Sequence, residues 1–169
     1  MSKTMSRRVF LKGAAAVALA VSAAGLTGCN AGGNNESSTA VVLGDYKVDV
    51  NLNDSVLGKN GDGSATVKLS VTITNQDAGA VATPFVRSVF PTMKAGDTEL
   101  KPGNAKTEVI TLPMKVPTVS TPSFLIEDNN LYNKINSGEL DLKLTVKLSG
   151  QTAVYTLNFG NGSKSVEKI

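Results

Sequence analysis

The chain has 169 residues, with 17 Lys and Arg against 14 Asp and Glu, a single Cys, no Trp and no His. Without His it cannot assemble a Ser-His-Asp or Cys-His nucleophile, and it lacks the imidazole and thiolate sets that zinc and other transition metals favour. One cysteine forbids an internal disulfide, so a folded body must be held by its core alone.

The first twelve residues carry Lys3, Arg7, Arg8 and Lys12 and no acid, and Gly13 to Leu26 is a run of small and apolar residues. A bilayer crossing takes about 20 apolar residues, so this run is too short. A basic start, a short apolar stretch and a small-residue cleavage site describe a signal peptide. Ser6-Arg7-Arg8-Val9-Phe10-Leu11-Lys12 resembles the twin-arginine export motif S-R-R-x-F-L-K, and Leu26-Thr27-Gly28-Cys29 resembles a bacterial lipobox. The segment as a whole resembles the leaders of twin-arginine-exported bacterial lipoproteins. The resemblance implies removal of residues 1–28, diacylglycerol on the Cys29 thiol, and residence on the extracytoplasmic face of the cell membrane. Two acyl chains anchor stably where one is marginal, at about 0.8 kcal/mol per buried CH₂.

Removing 1–28 takes away four of the 17 basic residues and leaves 141 residues with 13 bases against 14 acids. The sequence pI near 9.0 therefore belongs to the signal, and no basic patch argues for nucleic acid. A body of that size is one domain and buries about two thirds of its unfolded surface. Residues 29–40 comprise Cys29 and the stretch NAGGNNESSTA, a flexible tether with a mean reach of about 18 Å. Residues 41–160 read as the domain and 161–169 as a polar tail that frays.

Within the domain the pattern is alternation. Tyr46, Val48, Val50 and Leu52 alternate with polar residues, as do Val67, Leu69, Val71 and Ile73, and such a period of two is a half-buried strand. Gly58 to Ser64, with Asn-Gly and Asp-Gly, is a turn, and Asn75 to Ala80 is another. Phe85 to Lys94 is apolar on both faces and reads as a covered strand, with Pro84 and Pro91 favouring an edge or bulge. Ala95-Gly96-Asp97 and Pro102-Gly103-Asn104 are turns, and Lys106 to Met114 alternates again. The proline-spaced stretch from Pro113 to Pro122 reads as an extended connector crossing between sheets. Ser123 to Glu127 is a short strand, after which Asp128 caps a helix over Asn129 to Ile135 that ends at Ser137-Gly138. Leu140 to Leu148 and Ala153 to Phe159, joined at Gly150, form a hairpin. The expected fold is all-β, an antiparallel immunoglobulin-like β-sandwich of about seven to eight strands with one short helix, preceded by the signal helix and linker. Val67 to Asn75 (VKLSVTITN), Lys94 to Leu100 and Lys101 to Asn104 resemble the telokin-like, immunoglobulin-type sandwich domains of secreted bacterial proteins, a resemblance that implies no site residues.

Candidate chemistry is sparse. Asp49 to Asp54 resembles the opening of a calcium loop, but the sixth and twelfth positions hold Asp54 and Asn60 where an EF-hand needs Gly and Glu. That leaves a solvated strand face, with Asp54 or Asp62 as weak loop-tip cation ligands. Ser165-x-x-Lys168 has a nucleophile–base spacing but lies in the polar tail. The aromatic residues belong mostly to apolar strand faces, Tyr132 being the most accessible. No cofactor motif is present. The expected function is a non-enzymatic, lipid-anchored binding or interaction module of the envelope, with the membrane and an envelope protein as partners. A structural or accessory subunit of a membrane complex is one alternative. A hydrolase using only Asp, Glu, Ser and Lys is the other.

Overall fold

Alternating sequence becomes pleated sheet through most of the chain. The computed structural model describes residues 39–76, 81–83, 86–103 and 110–169. Strand β1 (Val41–Leu43) turns into β2 (Tyr46–Lys59), which pairs antiparallel with β3 (Ala65–Asn75). Tyr46, Val48 and Val50 point inward from β2, and Val67, Leu69, Val71 and Ile73 from β3, as the period of two requires. Each such side chain, fully buried, contributes about 1.5–3 kcal/mol relative to exposure.

The β2–β3 register slips between Asn51 and Val56, and a bulge fills the gap. Ser55 closes it: its hydroxyl donates to the Asn51 carbonyl (2.6 Å) and accepts the Ser70 N–H (3.0 Å). A bulge leaves ladder groups unpaired, and a hydroxyl that both donates and accepts replaces the missing partners.

The chain then leaves the first sheet. Strand β4 (Val81–Thr83) pairs with β8 (Ile110–Leu112) in a two-stranded sheet. Residues 86–94 are not one strand. A helical turn, α1 (Val86–Val89), precedes β5 (Thr92–Ala95), and Val89, Phe90 and Met93 are buried. A run with apolar residues on both faces fits a helical turn as well as a covered strand, so its pattern does not separate the two. Strand β6 (Thr98–Glu99) closes a hairpin with β5, and after the buried Leu100 the chain passes to β7 (Lys101–Pro102) in the first sheet.

The proline-rich stretch leaves the two-stranded sheet at β8 and enters the first sheet, as a connector between sheets should, but its second half is itself strand. Strands β9 (Pro117–Ser120) and β10 (Ser123–Ile126) both pair with β3, end to end along one side of it. Pro122 interrupts them, and its carbonyl accepts the Leu69 N–H at 2.9 Å. Proline is tolerated there because it stands in the gap between the two strands, where no ladder N–H is required of it. Helix α2 (Asn129–Ser137) follows, starting and stopping where the sequence signals it: the Asp128 carboxylate accepts the Asn130 N–H at 2.7 Å, and Gly138 takes the left-handed cap at φ 81°.

The second sheet is completed by β11 (Leu142–Leu148), β12 (Gln151–Asn158) and β13 (Ser163–Lys168). Ser149 and Gly150, at φ 49° and 71°, make the two-residue turn whose twist suits a tight hairpin. Residues 161–169, expected to fray, instead pair with β12 through β13.

The first sheet runs β1-β2-β3-β10-β7, with β9 beside β3, and the second runs β13-β12-β11-β5-β6. The fold is all-β with a short helix: two antiparallel sheets share one apolar core, and eight of the thirteen strands among the described residues are four residues or longer. Phe90, Phe124, Tyr46 and Tyr155 are core residues, as expected.

Candidate functional site

Cys29, the lipobox residues Leu26, Thr27 and Gly28, and the export residues Arg7, Arg8, Phe10, Leu11 and Lys12 lie outside the described residues. Among the described residues no helix is long and apolar enough to cross a membrane.

The two acidic candidates are occupied separately. Asp54 sits in the β2 bulge and accepts the side-chain N–H of Asn51. Asp62 sits in the β2–β3 turn, where it accepts the Ser64 hydroxyl (2.6 Å) and the Ser64 N–H (3.0 Å). Those two bonds, the hydroxyl first, hold its carboxyl below the usual carboxylate range. Among the described residues no three of Asp, Glu and Cys converge. Ser165 and Lys168 lie on one strand at a spacing of three, which places them on opposite faces. Tyr132 is half-buried, with the Lys59 ammonium 5.0 Å from its ring centroid. Along the outer flank of α2 a shallow depression is lined by Asn130, Asn133, Lys134, Ser137 and Glu139.

The charged and hydroxyl groups that do converge hold the sheets together. Strand β1 covers β2 only from Tyr46 to Val48, so the edge of β2 beyond it is open. The second sheet reaches over to this edge. The Tyr155 hydroxyl, on β12, donates to the Val48 carbonyl at 2.8 Å, and Lys164, on β13, donates to the Val50 carbonyl. Lys164 also stands 3.0 Å from the Asp49 carboxylate. Burial, and then the nearby Asp49 charge, push the Tyr155 phenol well above its ordinary value. Sequence reading placed Lys164 in a loose tail and so missed this pairing, since no local pattern signals a contact over 115 residues.

The outer face of the first sheet is different in character. Six large apolar residues are exposed among those described, and five of them, Val42, Val56, Met114, Val116 and Val119, lie on this face or on the turn that leads into β9. One cross-strand row runs Val42–Lys47–Thr74–Pro117, and the next runs Asp49–Thr72–Val119. The outer face of the second sheet carries Lys94, Lys143, Lys147 and a set of threonines.

The turn from Pro113 to Pro117 is firmly held. Asn75, fully buried, donates from its amide to the Leu112 carbonyl (3.2 Å), and its own carbonyl accepts the Lys115 N–H (2.7 Å). Lys115 is thereby fixed at φ 58°, a left-handed conformation that costs a non-glycine residue about 1–2 kcal/mol. Such strain persists only where the surroundings impose it, and it clusters at working surfaces. Here it aims Met114 and Val116, 42% and 50% exposed, into solvent on either side of the lysine.

Compared with protein-family models, curated proteins and solved structures, the chain matches none.

Proposed function

We propose that this chain is a lipid-anchored binding module on the extracytoplasmic face of a bacterial cell membrane. Cys29 carries the lipid, residues 30–40 form the tether, and the β body presents its faces to an envelope ligand or partner. The observation that carries this reading is the pair of motifs at 6–12 and 26–29, standing a dozen residues ahead of the first strand. The leader resembles a twin-arginine export signal, and the Leu-Thr-Gly-Cys sequence resembles a lipobox.

Substituting Cys29→Ala tests the anchor. The wild-type chain is expected in the membrane fraction, with an acylated amino terminus at residue 29 by mass spectrometry. The variant is expected in the soluble extracytoplasmic fraction. A variant that still pellets with membranes, or a wild-type chain recovered acyl-free from the cytosol, overturns the reading.

A further inference from the structure

We propose that the outer face of the first sheet lies on the bilayer surface, with the Pro113–Pro117 turn and Val119 entering the headgroup layer and Val42 at the opposite end of the same face. This inference rests on the anchor reading above and specifies which side of the domain meets the lipid.

Three observations carry it. Of the six exposed apolar side chains among the described residues, Val42, Val56 and Val119 lie on this face and Met114 and Val116 on the turn that leads into it, whereas the outer face of the second sheet shows lysines, threonines and one half-buried valine, Val154. Next, the Pro113–Pro117 turn holds a lysine between two exposed apolar residues on a backbone strained at Lys115 and buttressed by the buried Asn75. A lysine in such a position keeps its ammonium at the phosphates while its neighbours enter the acyl boundary.

The third observation is where the chain leaves the domain. Val42 stands on β1, thirteen residues beyond Cys29. The eleven Gly-, Asn- and Ser-rich residues between Cys29 and β1 have a mean reach of about 18 Å. The row from Val42 to Pro117 crosses four strands, or about 14 Å at ordinary strand spacing. The whole apolar face therefore lies within reach of the anchor, and the bilayer is present there at high effective concentration. A protein partner has no comparable argument from position. Charge does not oppose the contact: Lys47, Lys68 and Lys115 stand against Asp45 and Asp54, and Asp49 is paired with Lys164.

The test uses the full lipidated chain, reconstituted through its own anchor into vesicles of phosphatidylcholine and phosphatidylglycerol. Nitroxide is attached at Val119→Cys or, on the opposite sheet, at Lys143→Cys, the native thiol being blocked by its lipid. The expected result is a label at 119 that is open to oxygen and shielded from a water-soluble nickel chelate, and a label at 143 that is open to nickel. Adding Val116→Asp to the 119-labelled chain should abolish the shielding while the protein still floats with the vesicles. Labels at 119 and 143 equally open to nickel overturn the docking and leave the anchor standing. A chain that fails to float with vesicles overturns the anchor reading, and the docking with it. Shielding at 119 that appears only on adding envelope proteins assigns the face to a protein and overturns the lipid assignment.

Discussion

Tyr155→Phe removes one hydroxyl from the seam between the sheets and leaves the ring in place. Tyr155 is fully buried, and its hydroxyl donates to the Val48 carbonyl at 2.8 Å. At neutral pH the loss is expected to be about 1 kcal/mol, the net worth of one internal hydrogen bond. Alkaline pH adds a second effect of opposite sign. The folded-state pKa of Tyr155 lies above the unfolded value of about 10, because burial, and then the Asp49 carboxylate, disfavour the phenolate. The unfolded chain therefore gives up this proton first. The stabilisation is whole below about pH 10 and is lost as pH rises toward the folded value, at up to about 1.4 kcal/mol per pH unit. Phenylalanine has no such proton, and all other groups titrate in both proteins. The advantage of wild type should shrink above pH 10 and reverse near about pH 11, where the titration loss matches the lost bond. Urea unfolding followed by far-UV circular dichroism, at several pH values from 8 to 11, measures the difference directly. A difference that stays constant or grows with pH would refute the claim that the buried phenol is held neutral.

Lys164→Met removes the donor to the Val50 carbonyl and the partner of a half-buried carboxylate, and a loss of about 1–3 kcal/mol is expected in the same unfolding assay. Lys101→Met, which breaks the Lys101–Glu127 pair, should cost less than about 1 kcal/mol because both side chains are more than half exposed. Gly160→Ala should cost about 1–3 kcal/mol, since a Cβ there would meet the Gly138 backbone at 2.5 Å, and Gly61→Ala, with open space around it, should stay within about 0.5 kcal/mol. Thermal melts of the two glycine variants distinguish these outcomes. Asp128→Ala should cost about 1 kcal/mol through the lost helix cap, and fluorescence of Tyr132 should report loosening of α2 before the sheets melt.

Strands with a clean period of two were legible: Tyr46 to Leu52, Val67 to Ile73, and the hairpin from Leu140 to Phe159 all put their apolar residues inside. Helix α2 was legible from its ends, because Asp128 and Gly138 each satisfy a local backbone requirement. Residues 86–94 were not, because apolar residues on both faces carry no clean period. Strand β13 was missed for the opposite reason. Its polar side chains carry no core signal, and it is a strand only because β12 offers an edge. The bulge at Asn51 to Val56 depends on a hydroxyl at Ser55 meeting an N–H at Ser70, fifteen residues away.

Residue types alone decided that the domain has an apolar core built from alternating strands, that His-dependent catalysis is closed to it, and where its helix begins and ends. Those are properties of a few adjacent residues, and a backbone of fixed geometry converts them directly into faces and caps. Tertiary structure alone decided that β9 stays beside β3, that Lys164 caps an edge of the other sheet, and that the exposed valines gather on one side of the sandwich. Sheet order and edge contacts join residues far apart in the chain, so the free energy that selects them belongs to the assembled layers and to no single stretch.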